Sequence, residues 1–290
     1  MNKIIVITGP TGVGKTKLSI ALAKKYNAEI INADSVQIYK YLNIGSAKVT
    51  EQEKEGITHH LLDFKNLNEE YSVYDYQKDC REKIKEIINN GKNVIIVGGT
   101  GLYIKAALYN YEFNKEENNY EMYDNYTNDE LYEMLLEKDK DTKIHKNNRQ
   151  RVIRFLNKKE NTNTVSNKLL YDVIFIGLTT DRSVLYEKIN SRVDAMITDG
   201  LVEEVSNLYK QEPNSKILKS AIGYREIVEY LDGNSTLDNA IEKIKQDSRR
   251  YAKRQYTWFN NQMNIEWFNV NYENFNETID CVIKYIEDVK

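Results

Sequence analysis

With 290 residues the chain is long enough for one large α/β domain carrying an insertion, or for two domains, and for a sizeable buried core. A net charge of −3 leaves no overall field to attract nucleic acid, so any such binding falls to local patches. Cys80 and Cys281 stand far apart with no CxxC spacing, which excludes a zinc knuckle and gives no sign of a disulfide framework, and no apolar run approaches a membrane span; a soluble cytoplasmic protein is expected.

Residues 3–8, carrying Ile4-Ile5-Val6-Ile7, predict a first strand, and its early start leaves no room for a signal peptide. Gly9-Pro10-Thr11-Gly12-Val13-Gly14-Lys15-Thr16 follows, a complete phosphate-binding loop set between a strand and a helical pattern. Glycines let the backbone curl so that successive N–H groups point at one anion, Lys15 adds a mobile positive charge, and the Thr16 hydroxyl can ligate Mg²⁺. A chance glycine-rich turn lacks this strand and helix context. Residues 15–26 predict a helix with Leu18, Ala21 and Leu22 on one face, and residues 29–32 a second strand leading to Asp34. A loop carries Gly45 and His59-His60; adjacent histidines rarely face one ion, so the pair has little weight as a metal site.

A helix is expected over 73–90, stopped by Asn90-Gly91, then a continuous apolar strand over 93–97, Gly98-Gly99-Thr100-Gly101, and a short helix over 102–108. From 109 to 170 the composition turns to Asn, Glu, Lys and Tyr, which predicts an inserted helical subdomain. Acids from Glu112 through Glu116, Glu117 and Glu121 to Asp141 load its first half, while Lys143, Lys146, Arg149, Arg151, Arg154, Lys158 and Lys159 load the second. The sheet resumes at 173–178, followed by helices at 182–198, 201–210 and from about Tyr224. A long helix over 237–261 carries Ile244, Tyr251 and Trp258 on one stripe beside Arg249, Arg250, Lys253 and Arg254. A last strand at 265–270 and a terminal helix from about Asn276 complete an α/β, P-loop NTPase-like parallel sheet flanked by helices, divided as 1–108, 109–170 and 171–290.

The loop alone does not say which phosphate ester it holds. Many P-loop NTPases place an Mg²⁺-binding acid at a second strand end, yet here residues 94–97 run into Gly98-Gly99 and residues 173–178 into Thr179-Thr180. Asp34 is the sole acid at a strand end near the loop. On the residues alone it could be an Mg²⁺ ligand, a helix N-cap or a general base.

Five segments together narrow the choice: residues 9–16, Asp34-Ser35-Val36-Gln37-Ile38-Tyr39, Gly98-Gly99-Thr100-Gly101-Leu102-Tyr103, Gly223-Tyr224-Arg225-Glu226 and Arg250-Tyr251-Ala252-Lys253-Arg254-Gln255-Tyr256-Thr257-Trp258-Phe259. In order and spacing they resemble the tRNA dimethylallyltransferases over nearly the whole chain. The resemblance implies that the loop holds dimethylallyl diphosphate instead of ATP and that the prenyl group goes to N6 of the adenosine 3′ of the anticodon, position 37. By the same resemblance Gly9, Pro10, Thr11, Gly12, Val13, Gly14, Lys15 and Thr16 carry the diphosphate, with Mg²⁺ on Thr16. Asp34 then takes the amine proton, Thr100 aids the diphosphate and Arg225 lies near the leaving group.

The acceptor adenine must leave its stack to reach such a site, and Gln37, with Asp34, Ser35 and Val36, would meet it. Gln150-Arg151-Val152-Ile153-Arg154 matches the family's tRNA-contacting stretch, with Arg151, Arg154 and Lys158 on one helical face over Val152, Phe155 and Leu156. Bland alternatives stand beside these: Thr100 as a helix N-cap, Arg225 as a surface salt bridge, the basic face as solvated surface. Lys146 replaces a proline common in the family after the equivalent of His145, and no Cys/His finger follows the last helix, as in bacterial forms. Rival readings are a P-loop small-molecule kinase, an adenylate isopentenyltransferase, which would not need the basic stretch 149–159, and a non-catalytic RNA-binding module. A monomer is expected.

Overall fold

The computed structural model describes residues 3–113, 121–157 and 168–289, so Glu116, Glu117, Lys158 and Lys159 lie outside the described residues. Two compact units result, residues 1–110 with 168–290, and residues 111–167. In the first, β1 (Ile4–Thr8), α1 (Lys15–Tyr26) and β2 (Ala28–Asn32) make the opening βαβ unit. They are followed by α2 (Glu51–Lys54), β3 (His59–His60), α3 (Val73–Asn89), β4 (Asn93–Val97) and α4 (Gly101–Leu108). The second unit contains α5 (Asn128–Lys138) and α6 (Arg149–Leu156). The first then resumes with β5 (Val173–Thr179), α7 (Arg182–Thr198), α8 (Leu201–Gln211), α9 (Arg225–Leu231), α10 (Leu237–Gln262), β6 (Glu266–Asn269) and α11 (Phe275–Asp288).

The six strands are all parallel, in the order β3-β2-β4-β1-β5-β6. Their alternation explains the unbroken apolar runs. Ile5 and Ile7 point into a cluster with Leu18, Leu22 and Val282, while Ile4 and Val6 point into another with Tyr76, Ile84, Ile104 and Phe259. Both faces of β1 are therefore dry, and all five of its residues are buried. Because β1 lies between β4 and β5 while the chain runs on to β2, its carboxyl end is a switch point, where a crevice opens in sheets of this kind.

His59-His60, expected in a loop, is instead a two-residue edge strand paired with Ile30 and Ile31. Two polar residues are too short a run to display a strand period. His60 Nε2 lies 2.5 Å from Glu29 Oε2, and Glu29 Oε1 also accepts from Lys92 Nζ at 2.6 Å. A third cluster, with Ile38, Leu42, Leu201, Val205, Tyr224, Ile227 and Ile244, ties the segment after β2 to α8, α9 and α10. That packing holds the Asp34 turn in place.

In the second unit, Thr127 and Glu130 form a reciprocal capping box at the start of α5, and Leu131 and Leu135 share one core with Val152, Ile153 and Leu156 of α6. Arg149 donates to the carbonyls of Tyr126 and Tyr123 at 2.7 and 2.6 Å, which fixes where α6 begins. No helix among the described residues is long and apolar enough to cross a membrane.

Candidate active site

A cavity of about 910 Å³ opens in the first unit, lined by Thr11, Gly12, Gly14, Lys15, Thr16, residues 34–37, Gly98, Gly99 and Arg225, among others. Its size suits a small diphosphate ester together with a nucleobase. The loop forms because Gly12 and Gly14 adopt φ of 87° and 88°, the left-handed region closed to most side chains, and turn the backbone into the first turn of α1. Lys15 Nζ folds back on the carbonyls of Gly9 and Pro10, at 2.9 and 2.8 Å. Burial, and next the nearby Arg192, push its pKa down to about 8, while the charge of Asp34 works the other way. Arg192, from α7, donates to Thr11 Oγ1 at 2.9 Å.

Asp34 follows β2 and heads a turn, not a helix, so the N-cap alternative is corrected: its Oδ1 accepts from the N–H of Val36 at 2.8 Å and of Gln37 at 3.3 Å within that turn. No hydrogen bond to Oδ2 is found among the described residues. Thr100 stands at the N-cap position of α4 yet makes no capping bond. Its Oγ1 instead accepts from the N–H of Ser35 at 3.1 Å and donates to Ser35 Oγ at 3.3 Å, pinning the Asp34 turn to the β4–α4 junction. Gly98 is required there, since a Cβ would lie 2.2 Å from the Ala33 carbonyl.

Gln37 donates through Nε2 to the carbonyls of Ser46 and Ala47, at 3.0 and 3.2 Å, so its amide orientation is set and its Oε1 remains the acceptor end. That loop is in turn wrapped round Glu204 of α8, whose carboxylate accepts from the N–H groups of Asn43, Ile44 and Gly45 and from Tyr224 Oη at 2.8 Å. Tyr251 of α10 adjoins Thr100 and Gln255; burial and then the charge of Asp34 push its phenol up to about 12, so it stays a proton donor at neutral pH. Gln255 donates to the Gly99 carbonyl at 3.0 Å.

Arg225 is not an ordinary surface salt bridge. Its Nε and Nη2 donate to Glu226 at 2.6 Å and Asp247 at 2.7 Å, two buried carboxylates, while the group still lines the cavity. Val13 is buried in the core beneath the loop, so it can offer an anion only its backbone N–H. Gly9 and Pro10 are engaged as carbonyls by Lys15. Gln150, Arg151 and Arg154 are exposed on α6 of the second unit, whereas Val152 and Ile153 are buried with Leu131 and Leu135. A side-chain contact between RNA and these last two is therefore ruled out by packing.

Sequence reasoning missed Arg192 and Glu204, and placed Tyr251 on a helix stripe and in a matched segment without giving it a role. Arg192 and Glu204 sit in helices of ordinary mixed charge and belong to no motif. Gln255 had a signal, since it lies within one of the five matched segments.

The family model described as IPP transferase matches residues 37–262 of this chain. The chain belongs to the IPP transferase family. Relatives of that family include a tRNA dimethylallyltransferase of Anoxybacillus flavithermus, 47% identical over 98% of this chain and 96% of that protein, and one of Enterococcus faecalis, 48% identical over 93% and 92%. A tRNA delta(2)-isopentenylpyrophosphate transferase from Staphylococcus epidermidis superposes with a TM-score of 0.78 at 40% identity, covering 100% of both chains. A eukaryotic dimethylallyltransferase solved acting on tRNA gives 0.77 at 32% identity, covering 92% of this chain and 74% of that one. IPP transferase membership and the parallel α/β sheet thus agree with the resemblance read from the five segments.

Proposed function

We propose that this protein transfers a dimethylallyl group from dimethylallyl diphosphate to N6 of the adenosine at position 37, next to the anticodon of tRNA, releasing diphosphate. The observation carrying this reading is a carboxylate with one free oxygen, Asp34, in the same cavity as a cationic anion-binding loop. The diphosphate rests on the backbone N–H groups of residues 11–16 with Lys15 beside it. As the allylic carbon–oxygen bond breaks, its electron pair stays on the diphosphate; N6 forms the new bond to carbon, and Asp34 Oδ2 takes the proton that N6 loses. Gln37, whose Nε2 is held by the Ser46 and Ala47 carbonyls, turns its Oε1 to accept from the amine and so favours adenine.

The described residues contain no group of three His, Cys, Asp or Glu side chains able to cage a metal. A lone hydroxyl at Thr16 suits Mg²⁺, which keeps water and substrate phosphate oxygens as most of its ligands. Bound there, Mg²⁺ would spread the leaving group's charge. Thr100 and Arg225 serve as positioning groups, Thr100 for the Asp34 turn. The second unit lends Gln150, Arg151 and Arg154 of α6 to the RNA, and the protein works as a cytoplasmic monomer.

The test is incubation with labelled dimethylallyl diphosphate, Mg²⁺ and either an anticodon hairpin or AMP. Label is expected on the hairpin adenosine. Label on AMP, or brisk ATP cleavage with an unmodified hairpin, would overturn the reading in favour of an adenylate isopentenyltransferase or a kinase.

A further inference from the structure

The chain ends β5 in Thr179-Thr180, where many P-loop NTPases carry an Mg²⁺-binding acid, and the proposed reaction leaves that pair without a task. In the structure both hydroxyls meet tyrosines. Thr179 Oγ1 lies 2.6 Å from Tyr256 Oη, and Thr180 hydrogen-bonds the phenol of Tyr272, in the segment between β6 and α11. Tyr272 Oη in turn donates to the carbonyl of Gly12, 3.4 Å away in the phosphate-binding loop. Burial, and next the neighbouring Tyr256, push the Tyr272 phenol above its ordinary pKa, against the pull of Thr180, so it keeps the proton it donates.

The segment carrying Tyr272 is fixed at several points. The N–H of Val270 donates to the Thr179 carbonyl at 2.8 Å, and that of Asn271 to the Thr278 hydroxyl at 3.0 Å. Asn271 Oδ1 accepts from the N–H groups of Glu273 and Asn274, both at 3.0 Å. Lys188 of α7 lies over the Tyr272 ring, 4.9 Å from its centre. Phe275 is buried in one cluster with Val13 and Leu18, and its ring presses on the loop: a Cβ on Gly14 would lie 2.5 Å from Phe275 Cε2. Neither Tyr272 nor Phe275 lines the cavity. The loop is therefore braced from behind at Gly12 and Gly14, on either side of Val13.

Val13 has only its backbone N–H to offer an anion, and the peptide plane that carries this N–H also carries the Gly12 carbonyl. In a trans peptide the two groups point in opposite directions. A donor that holds the carbonyl away from the cavity thus turns the N–H toward it, and by polarising the peptide makes that N–H a stronger donor. We infer that Tyr272 is a positioning residue for diphosphate, acting through the Gly12–Val13 peptide, with Thr180 orienting its phenol and Phe275 seating Gly14. This rests on the proposed transfer reaction. A neutral hydroxyl at the end of β5 adds no negative charge beside the diphosphate, as a carboxylate there would.

The experiment measures inorganic pyrophosphate affinity, anticodon-hairpin affinity, the Val13 amide proton resonance and prenyl transfer to the hairpin for the parent protein, Tyr272→Phe and Thr180→Val. Tyr272→Phe keeps the ring beneath Lys188 and loses only the hydroxyl. It is expected to weaken pyrophosphate binding by about three- to tenfold, the worth of one neutral hydrogen bond, with hairpin affinity at the parent's value. The Val13 amide proton, which moves downfield when pyrophosphate accepts from it, should move less in this variant. Thr180→Val should shift both readouts in the same direction, with about a twofold loss of affinity. Unchanged pyrophosphate affinity in Tyr272→Phe, or a Val13 shift equal to the parent's, would overturn the inference while the parent's transfer to the hairpin leaves the reaction standing. An equal loss for pyrophosphate and hairpin would also overturn it, since that is the mark of general damage. If Tyr272→Phe fails to fold, Thr180→Val decides alone. Failure of the parent to bind pyrophosphate or modify the hairpin would remove both proposals together.

Discussion

On the loop side of the cavity, Lys15 and Arg192 have no acidic ion-pair partner among the described residues, and Arg192 depresses the pKa of Lys15. On the β2 side the polar groups are already anchored: Asp34 Oδ1 by two backbone N–H groups, Gln37 Nε2 by two carbonyls, and the loop behind them by Glu204. The first arrangement is unfavourable until an anion arrives, so in the proposed reaction its own repulsion becomes affinity for diphosphate. The second is held in place beforehand, so under the proposed function Asp34 and Gln37 need no reordering when an adenine enters. Substrate charge completes one wall, and backbone geometry completes the other.

The largest effect expected from breaking this contrast is at Asp34. Asp34→Asn should lower the transfer rate by about 10²- to 10⁴-fold, the usual worth of a positioned base. Diphosphate affinity should hold or rise, because a nearby negative charge has gone. Parallel loss of rate and diphosphate affinity, read by single turnover and calorimetry, would mean that Asp34 serves the anion wall instead. Glu204→Gln comes next. Removing the charge around which residues 43–45 fold should loosen Gln37 and raise the KM for an anticodon hairpin by about tenfold, with dimethylallyl diphosphate affinity unchanged.

The loop wall is sharpened by pH. With Lys15 titrating near 8 in the empty site, between Arg192 and Asp34, dimethylallyl diphosphate affinity should fall above that pH by up to about tenfold per unit. Stability of the ligand-free protein should move the other way. The native Lys15 binds fewer protons than the unfolded one between about 8 and its ordinary 10.5, so this group makes the fold more stable as pH rises through that window. Affinity that stays flat from pH 7.5 to 9.5 would remove Lys15 from the anion wall. The smallest effect is expected in the second unit: Arg151→Ala with Arg154→Ala should raise the KM for tRNA several-fold and reduce the salt slope by roughly one to two, leaving dimethylallyl diphosphate affinity alone.

Legibility in the sequence followed the same division. Strong periods placed α1, α7 and β4 at the residues found, because a helix face or a doubly buried strand needs many apolar residues at one spacing. The edge strand β3 was not legible, since His59 and His60 pair through backbone groups that every residue has. The phosphate loop and Asp34 could be read because their chemistry is local: glycine torsions and a carboxylate capping its own turn.

By itself, then, the sequence determined the α/β class, the anion loop, the family and the candidate base, all of which depend on residues close together in the chain. Only the tertiary structure decided that Thr100 steadies the Asp34 turn, that Gln37 presents its carbonyl, and that Arg225 is balanced by acids while Arg192 is not. Those are facts about distant segments: Thr11 meets Arg192 and Asn43 meets Glu204 across more than half the chain. Whether a charge is paired depends on which groups folding brings within reach, and no spacing along the chain records that.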